Sequence, residues 1–279
     1  MAYEGFFYWD DWQNYLDVED ERGLAKYMKT GSIMFILKGE DHSKKSLKLF
    51  QEIGVEHEIW DLDTLKEKMP IYSHDWYDGT SRPDEDENFW EKTDEQIEGA
   101  VYTPGSGYVS DPQLSTHNLQ VATEAKGGKF LFNAEVMEIR KSNGRIEGVT
   151  MKSGEQIDCS ALVNVAGPHS FVINRMAGVE EGMNIKTKAL RHEVHHVPSP
   201  PGFDFENDGY HTSDGDTSTY FRPETGNSIL IGSEDPECDP REWIADPDIF
   251  NRDITHAQWK AQVYRLAKRI PDLPIPNQP

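Results

Sequence analysis

Apolar positions along this chain fall at two spacings. Over residues 7–28, Phe7, Trp12, Tyr15, Leu16 and Leu24 recur at roughly helical intervals, which predicts a helix. Thr30-Gly31 breaks the pattern, and the apolar run 32–37 (SIMFIL) has the length of a strand. A second helix is predicted over 43–53, closed by Gly54, which can take the left-handed conformation that ends helices. Residues 55–61 (VEHEIWD) look like a strand, and Asp63 like the cap of a short helix that Pro70 stops. Residues 72–98 lose periodicity and are rich in acids, so they predict an exposed, solvated loop. The run Asp84-Glu85-Asp86-Glu87 within it gives no shaped set of ligands for a cation.

From Gly99 the pattern becomes more regular. A strand over 99–102 leads to a turn at Gly105-Ser106-Gly107, and Asp111-Pro112 opens a helix running to about Ala125. KFLFNAEVMEIRK (129–141) is predicted to be a strand, Asn143-Gly144 a hairpin turn, and RIEGVTMK (145–152) the partner strand. Ser153-Gly154 turns the chain into EQIDCS, which is followed by ALVNVAG (161–167), predicted to be a buried strand, and a helix over 170–176. A small antiparallel meander set between two strands of a parallel sheet produces this order, so the fold class is α/β with α+β character. The last third predicts strands at 192–197, 217–223 and 228–233, a Pro- and Gly-rich connector SPPGFDFENDGYHTSDGD, and a helix over 259–270.

Composition narrows the function classes. The 279 residues are 36% hydrophobic and 11% aromatic, enough to bury a substantial core. A formal net charge of −22 argues against nucleic acid or an anionic membrane as partner. Cys159 and Cys238 lack any paired spacing, which speaks against a disulfide framework or thiolate metal site and for a reducing compartment. The first residues lack the basic region of a secretion signal, and no apolar run is long enough for a membrane span. The expectation is a soluble cytoplasmic protein with room for self-association.

Two glycine features bear on chemistry. Gly105-Ser106-Gly107 begins a dinucleotide-type fingerprint, but a serine stands at its last small position and the turn does not open directly into a helix, so a plain turn fits better. Ala166-Gly167 ends the predicted strand 161–167 without side chains, which lets another molecule approach the backbone closely. Open α/β sheets bind ligands at the carboxyl ends of strands.

The succession GAVYTPGSGYVSDPQL, KFLFNAEVMEI and GRIEGVTMKSGEQIDCSALVNVAGPHS resembles the flavin-dependent amine oxidoreductases of the D-amino acid oxidase family. LFQEIGVEHEIWDLDTLKEKMP upstream and STYFRPETGNSILIGSEDPECDP downstream are similar to other parts of that family. The resemblance covers most of residues 25–270. It implies FAD as cofactor, a small amine or amino acid of the sarcosine, dimethylglycine or D-amino acid type as substrate, and hydride transfer from substrate to flavin. By the same resemblance Val136 lies near the adenine, and Ala166, Gly167 and Pro168 let the FAD pyrophosphate or ribityl chain pass. A partial Rossmann-like FAD-binding domain (1–28 and 99–185) would interleave with an antiparallel-sheet substrate domain (29–98 and 186–279). The family's G-x-G-x-x-G unit and Gly-rich flavin segment have no counterpart here, so a fragment of a longer enzyme is expected. The alternative is a non-catalytic piece that serves as a binding module or subunit.

Substrate-side candidates follow from strand alternation. His192, with Val194 and His196 on one face of its strand, is a candidate proton acceptor. His192 and His196 would stand about 13 Å apart along a strand, too far to share a metal ion. Tyr220 and Arg222 share a face, with Tyr220 placed to orient a substrate and Arg222 to clamp its carboxylate with a planar guanidinium. No nucleophile elbow or Ser-His-Asp order supports a hydrolase, and both cysteines are expected to be structural.

Overall fold

The computed structural model describes residues 2–39 and 42–279, and the chain divides into two compact units. The first comprises residues 1–125, 192–240 and 253–279; the second comprises 126–191 and 241–252. These units are defined by packing, whereas the division expected from the sequence concerns which residues serve cofactor and which serve substrate.

Seven strands form the main sheet of the first unit, in the order Val194–Pro198, Ser228–Ser233, Thr219–Glu224, His211–Asp214, Ser32–Ile36, Gly99–Thr103, Glu58–Asp61. All neighbours run antiparallel except His211–Asp214 and Ser32–Ile36, which are parallel. One face is the core: Ile33, Phe35, Val197, Phe221, Ile229 and Ile231 pack with Trp259, Val263 and Leu266 of the helix His256–Arg269. Thr255 caps that helix, its hydroxyl accepting from the Gln258 amide at 3.3 Å, and Lys268 and Arg269 fill the last turn, where cations suit the helix dipole.

The same helix carries two buried guanidiniums, each matched by an acid. Arg265 donates to both Asp239 oxygens (2.8 and 2.7 Å), and Arg82 donates to Asp239 from 2.7 Å. Burial alone would raise the Asp239 carboxyl, but the hydrogen bonds and charge of Arg265 outweigh it and hold the group at about 2. Arg269 reaches Asp214 (2.8 Å) and Asp216 (3.3 Å), all three side chains being fully buried. Burial first, and the charge of Asp214 second, push Asp216 up to about 6 against the pull of Arg269.

Several expectations need correction in this unit. The helix expected over 7–28 is two short ones, Ala2–Asp10 and Trp12–Leu16, because Asp17 turns left-handed (φ 55) after Leu16. The cap of the helix Leu62–Lys68 is Asp61, whose carboxylate accepts from the Thr64 amide; Asp63 lies in the first turn. Residues 72–98 are loop but not a solvated face. Tyr72, Arg82, Phe89 and Ile97 in it are buried, and Asp84 pairs with Lys260. The connector around 211–214 is a central strand. Its inward residues are polar because Thr212 bonds the Tyr72 hydroxyl (3.0 Å) and Asp214 bonds Arg269.

The second unit is built on the meander Val136–Ser142, Arg145–Met151, Gln156–Asp158, with Asn143 and Gly144 at positive φ (51 and 77) in its tight turn. Ile139, Val149 and Met151 form its core, joined by Leu162, Ile173 and Met176. One expected strand is shortened and another is absent. The strand predicted over 129–141 begins only at Val136, leaving Phe130, Leu131 and Phe132 exposed. ALVNVAG forms no strand and is not buried, with Val163 81% and Val165 85% exposed. Neither stretch pairs with any strand among the described residues, and a strand exists only where a neighbour takes its N–H and C=O groups.

Candidate functional site

The core face of the main sheet takes the inward residues, and strand alternation sends the others to the opposite face. Strand register sets out that second face row by row. One row runs Val194, Gly232, Tyr220, Ser213, Met34; the next runs His196, Leu230, Arg222, His211, Ser32, Thr103. Val194 and His196 are exposed and Tyr220, Arg222, His211, Ser213 and Ser32 are half-buried, so the face is accessible and strongly polar.

Tyr220 lies across Gly232. A β-carbon there would stand 2.3 Å from the phenol ring, so only glycine lets the ring cross the neighbouring strand. Burial, and then the charge of Asp235, raise the Tyr220 phenol above its ordinary range, so it stays protonated and able to donate near neutral pH. His192 lies just before the strand Val194–Pro198, and its Nε2 sits 3.1 Å from Asp235. An imidazole held by a carboxylate has its orientation fixed.

Arg222 is a fixed cation. Its Nη1 donates to the Pro223 carbonyl at 2.8 Å and pairs with Glu224 at 2.9 Å, while the guanidinium stacks over Tyr108 at 4.1 Å from the ring centre. The clamp expected from the sequence is therefore half engaged already, with Glu224 as resident counter-charge. His211 stands beside it across the strand pair. Burial first and Arg222 second lower its imidazole below the ordinary value, so it is neutral near pH 7.

The structure thus brings His192, Tyr220 and Arg222 to one side of one sheet, together with Tyr108, His211, Glu224 and Asp235, which sequence reading missed. Alternation with Thr212 and Asp214 was the available signal for His211; the others needed the strand register. Cys159 and Cys238 carry free thiols, and burial raises the Cys238 thiol.

The residues expected to line a cofactor belong to the second unit. Val136 opens the first meander strand opposite Met151 and packs partly against that unit's core. Ala166, Gly167 and Pro168 are exposed at a one-turn 3₁₀ helix that leads into the helix Ser170–Met176, with Gly167 at φ 54 and open space where a β-carbon would stand. Asn164 steadies the approach, donating to the Ser170 carbonyl and to Asn174 (both 2.9 Å). The bare turn fits the close approach of a bulky ligand such as FAD. It supplies room but not charge: His169, beside it, faces Asp248 at 3.3 Å and lies in one cluster with Asp246.

A family model described as FAD dependent oxidoreductase matches residues 3–276. Among solved structures, the chain is similar to L-proline dehydrogenase from P. horikoshii at 17% identity and a TM-score of 0.70, over 96% of this chain and 61% of that one. It is similar to glycine oxidase from Geobacillus kaustophilus (18%, TM-score 0.66, 97% and 62%) and to that from Bacillus cereus (20%, TM-score 0.62, 97% and 63%). The chain therefore spans about three-fifths of the length of these structures. No curated protein sequence matches it. Among the described residues, no helix is long and apolar enough to cross a membrane.

Proposed function

The chain belongs to the family of FAD-dependent oxidoreductases, and from that premise we propose that it serves oxidation of the C–N bond of a small amino acid or amine carrying a carboxylate. N-methylated glycines and D-amino acids are the substrate types in view. The observation that carries this is the accessible sheet face on which Tyr220, Arg222 and the His192–Asp235 pair stand together. Bound FAD would supply the acceptor for a hydride leaving the carbon next to the substrate nitrogen.

The chain's own residues bind, orient and move a proton. Arg222, stacked on Tyr108, holds the substrate carboxylate in exchange for Glu224. Tyr220 donates a hydrogen bond from a phenol kept protonated by its surroundings. His192, oriented by Asp235, takes the proton of the substrate ammonium, since only the neutral amine has the lone pair that drives hydride departure. Ala166, Gly167 and Pro168 would leave the backbone bare for the cofactor's approach, and Val136 would stand toward its adenine. In this proposal residues 1–28 and 99–185 serve the cofactor, and 29–98 and 186–279 the substrate. The acidic composition and unpaired cysteines support a cytoplasmic setting.

The test is direct. The purified chain is mixed with FAD, and flavin absorption and its bleaching by N-methylglycine, N,N-dimethylglycine or a D-amino acid are followed without oxygen. Bleaching that Arg222→Gln weakens by about a hundredfold in KM supports the proposal. A chain that stays colourless with excess FAD points instead to a binding module, the alternative that the exposed runs 130–132 and 161–166 favour.

A further inference from the structure

We propose that His211 is a second carboxylate-binding residue, completing with Arg222 the site that selects amino acids over plain amines. This rests on the substrate-face reading of the sheet given above.

Three observations on the strand His211–Asp214 carry it. His211 continues the register of Thr212 opposite Phe221 and so stands across from Arg222 on the accessible face, while the next residue, Thr212, turns into the core. Residues paired across an antiparallel ladder hold their β-carbons about 5 Å apart, so an imidazole and a guanidinium there can reach the same small anion. Second, Arg222 cannot offer its full fork: Nη1 is committed to Pro223 and Glu224, and Tyr108 covers one face of the plane. A carboxylate with two oxygens to satisfy needs a further donor at that point, and the neighbouring imidazole is the nearest group of that kind in the register. Third, burial and Arg222 set the charge state of His211, while the acids of this corner, Glu224 and Glu206, act on Arg222 and Tyr108. Ser32 flanks it on the parallel strand, with its hydroxyl bonded to Thr103 at 2.7 Å, and Glu224 lies beyond Arg222.

Electrostatics gives this arrangement a signature. On their own, burial and Arg222 keep His211 neutral. A bound carboxylate reverses the balance, because an anion between imidazole and guanidinium favours the protonated ring. Ligand binding must therefore take up a proton, and affinity must rise as pH falls through the imidazole range, roughly tenfold for each unit by which the ligand raises the His211 value. Neither group of N,N-dimethylglycine titrates in that range, so the dependence belongs to the protein.

The experiment measures binding of N,N-dimethylglycine to the chain, with and without FAD, by calorimetry from about pH 8 to about pH 5.5. The ring resonances of His211 are followed by NMR in the same samples. 2-(Dimethylamino)ethanol, which keeps the amine and lacks the carboxylate, is the comparison ligand. The expected result is binding that tightens about tenfold toward acid, an upward shift of the His211 titration on binding, loss of both in His211→Asn, and no pH dependence for the amino alcohol. Tightening that survives unchanged in His211→Asn, or a His211 resonance that ignores the ligand, overturns the inference while leaving the substrate face standing. Equal affinity for acid and alcohol in the wild-type chain, or no binding of either, overturns the substrate-face reading and this inference with it.

Discussion

SILIGS at 228–233 and ALVNVA at 161–166 are both short apolar runs, and they end in opposite states. The first lies between two antiparallel partners and has Ile229 and Ile231 fully buried. The second pairs with nothing among the described residues and leaves Val163 and Val165 more than four-fifths exposed. The same contrast separates Phe221, at the centre of the first unit's core, from Phe132 in the second unit. Composition does not separate them; the presence of a neighbour that accepts the backbone does. An apolar alternation describes a strand's willingness to be buried, and only pairing makes it one.

The largest way to break the well-packed side is through its ion network. Arg269→Met leaves Asp214 and Asp216 buried without their counter-charge and should cost about 3–5 kcal/mol. A urea titration read by fluorescence of Trp259, in the core on the same helix as Arg269, should show that loss. An unchanged midpoint would mean the acids are neutral in the fold. Next comes the paired truncation. Phe221→Ala should cost about 3–5 kcal/mol, whereas Phe132→Ala should stay within about 0.5 kcal/mol, because one empties a filled core and the other removes exposed surface. Similar losses from the two would show that 129–133 is buried in solution.

A pH effect should sharpen the contrast further. Asp216 titrates at about 6 in the fold, above its unfolded value, so the fold holds the proton more tightly. Its contribution is complete below about pH 4 and lost as pH rises through about 6. Stability of the first unit should fall across that window on its account, and Asp216→Asn should flatten the fall. A slope unaltered by the substitution assigns it elsewhere. The smallest effect belongs to the second unit's hairpin. Asn143→Ala, at φ 51, should cost about 1–2 kcal/mol, and slower amide exchange at 161–166 than in that hairpin would undo the comparison, since unpaired backbone exchanges first.

Sequence patterning was most legible where burial and alternation coincide. Ser228–Ser233 is legible to the residue and Thr219–Glu224 to within two, because most of their inward positions are apolar. His211–Asp214 was illegible because its inward positions are Thr212 and Asp214, whose burial is offset by Tyr72 and Arg269, residues distant along the chain. The run 161–167 was misread for the reverse reason: its apolar side chains predicted burial, and no strand is there to bury them. His192, Tyr220 and Arg222 could be named from alternation together with the family resemblance. Tyr108, His211 and Asp235 could not, because each joins that face only through strand register or the turn of another segment.

The helix His256–Arg269 also fixes an order of events in time. Every strand of the main sheet is synthesised before it, so on the ribosome Asp214, Asp216 and Asp239 emerge ahead of the arginines that will neutralise two helix-side clusters. Until that helix appears, Asp214 and Asp216 lack the guanidinium that answers them and Asp239 has only Arg82, so negative charge stands where the core must close. Closure of the first unit therefore waits for that helix, and a nascent chain should stay open to proteases until its arginines arrive.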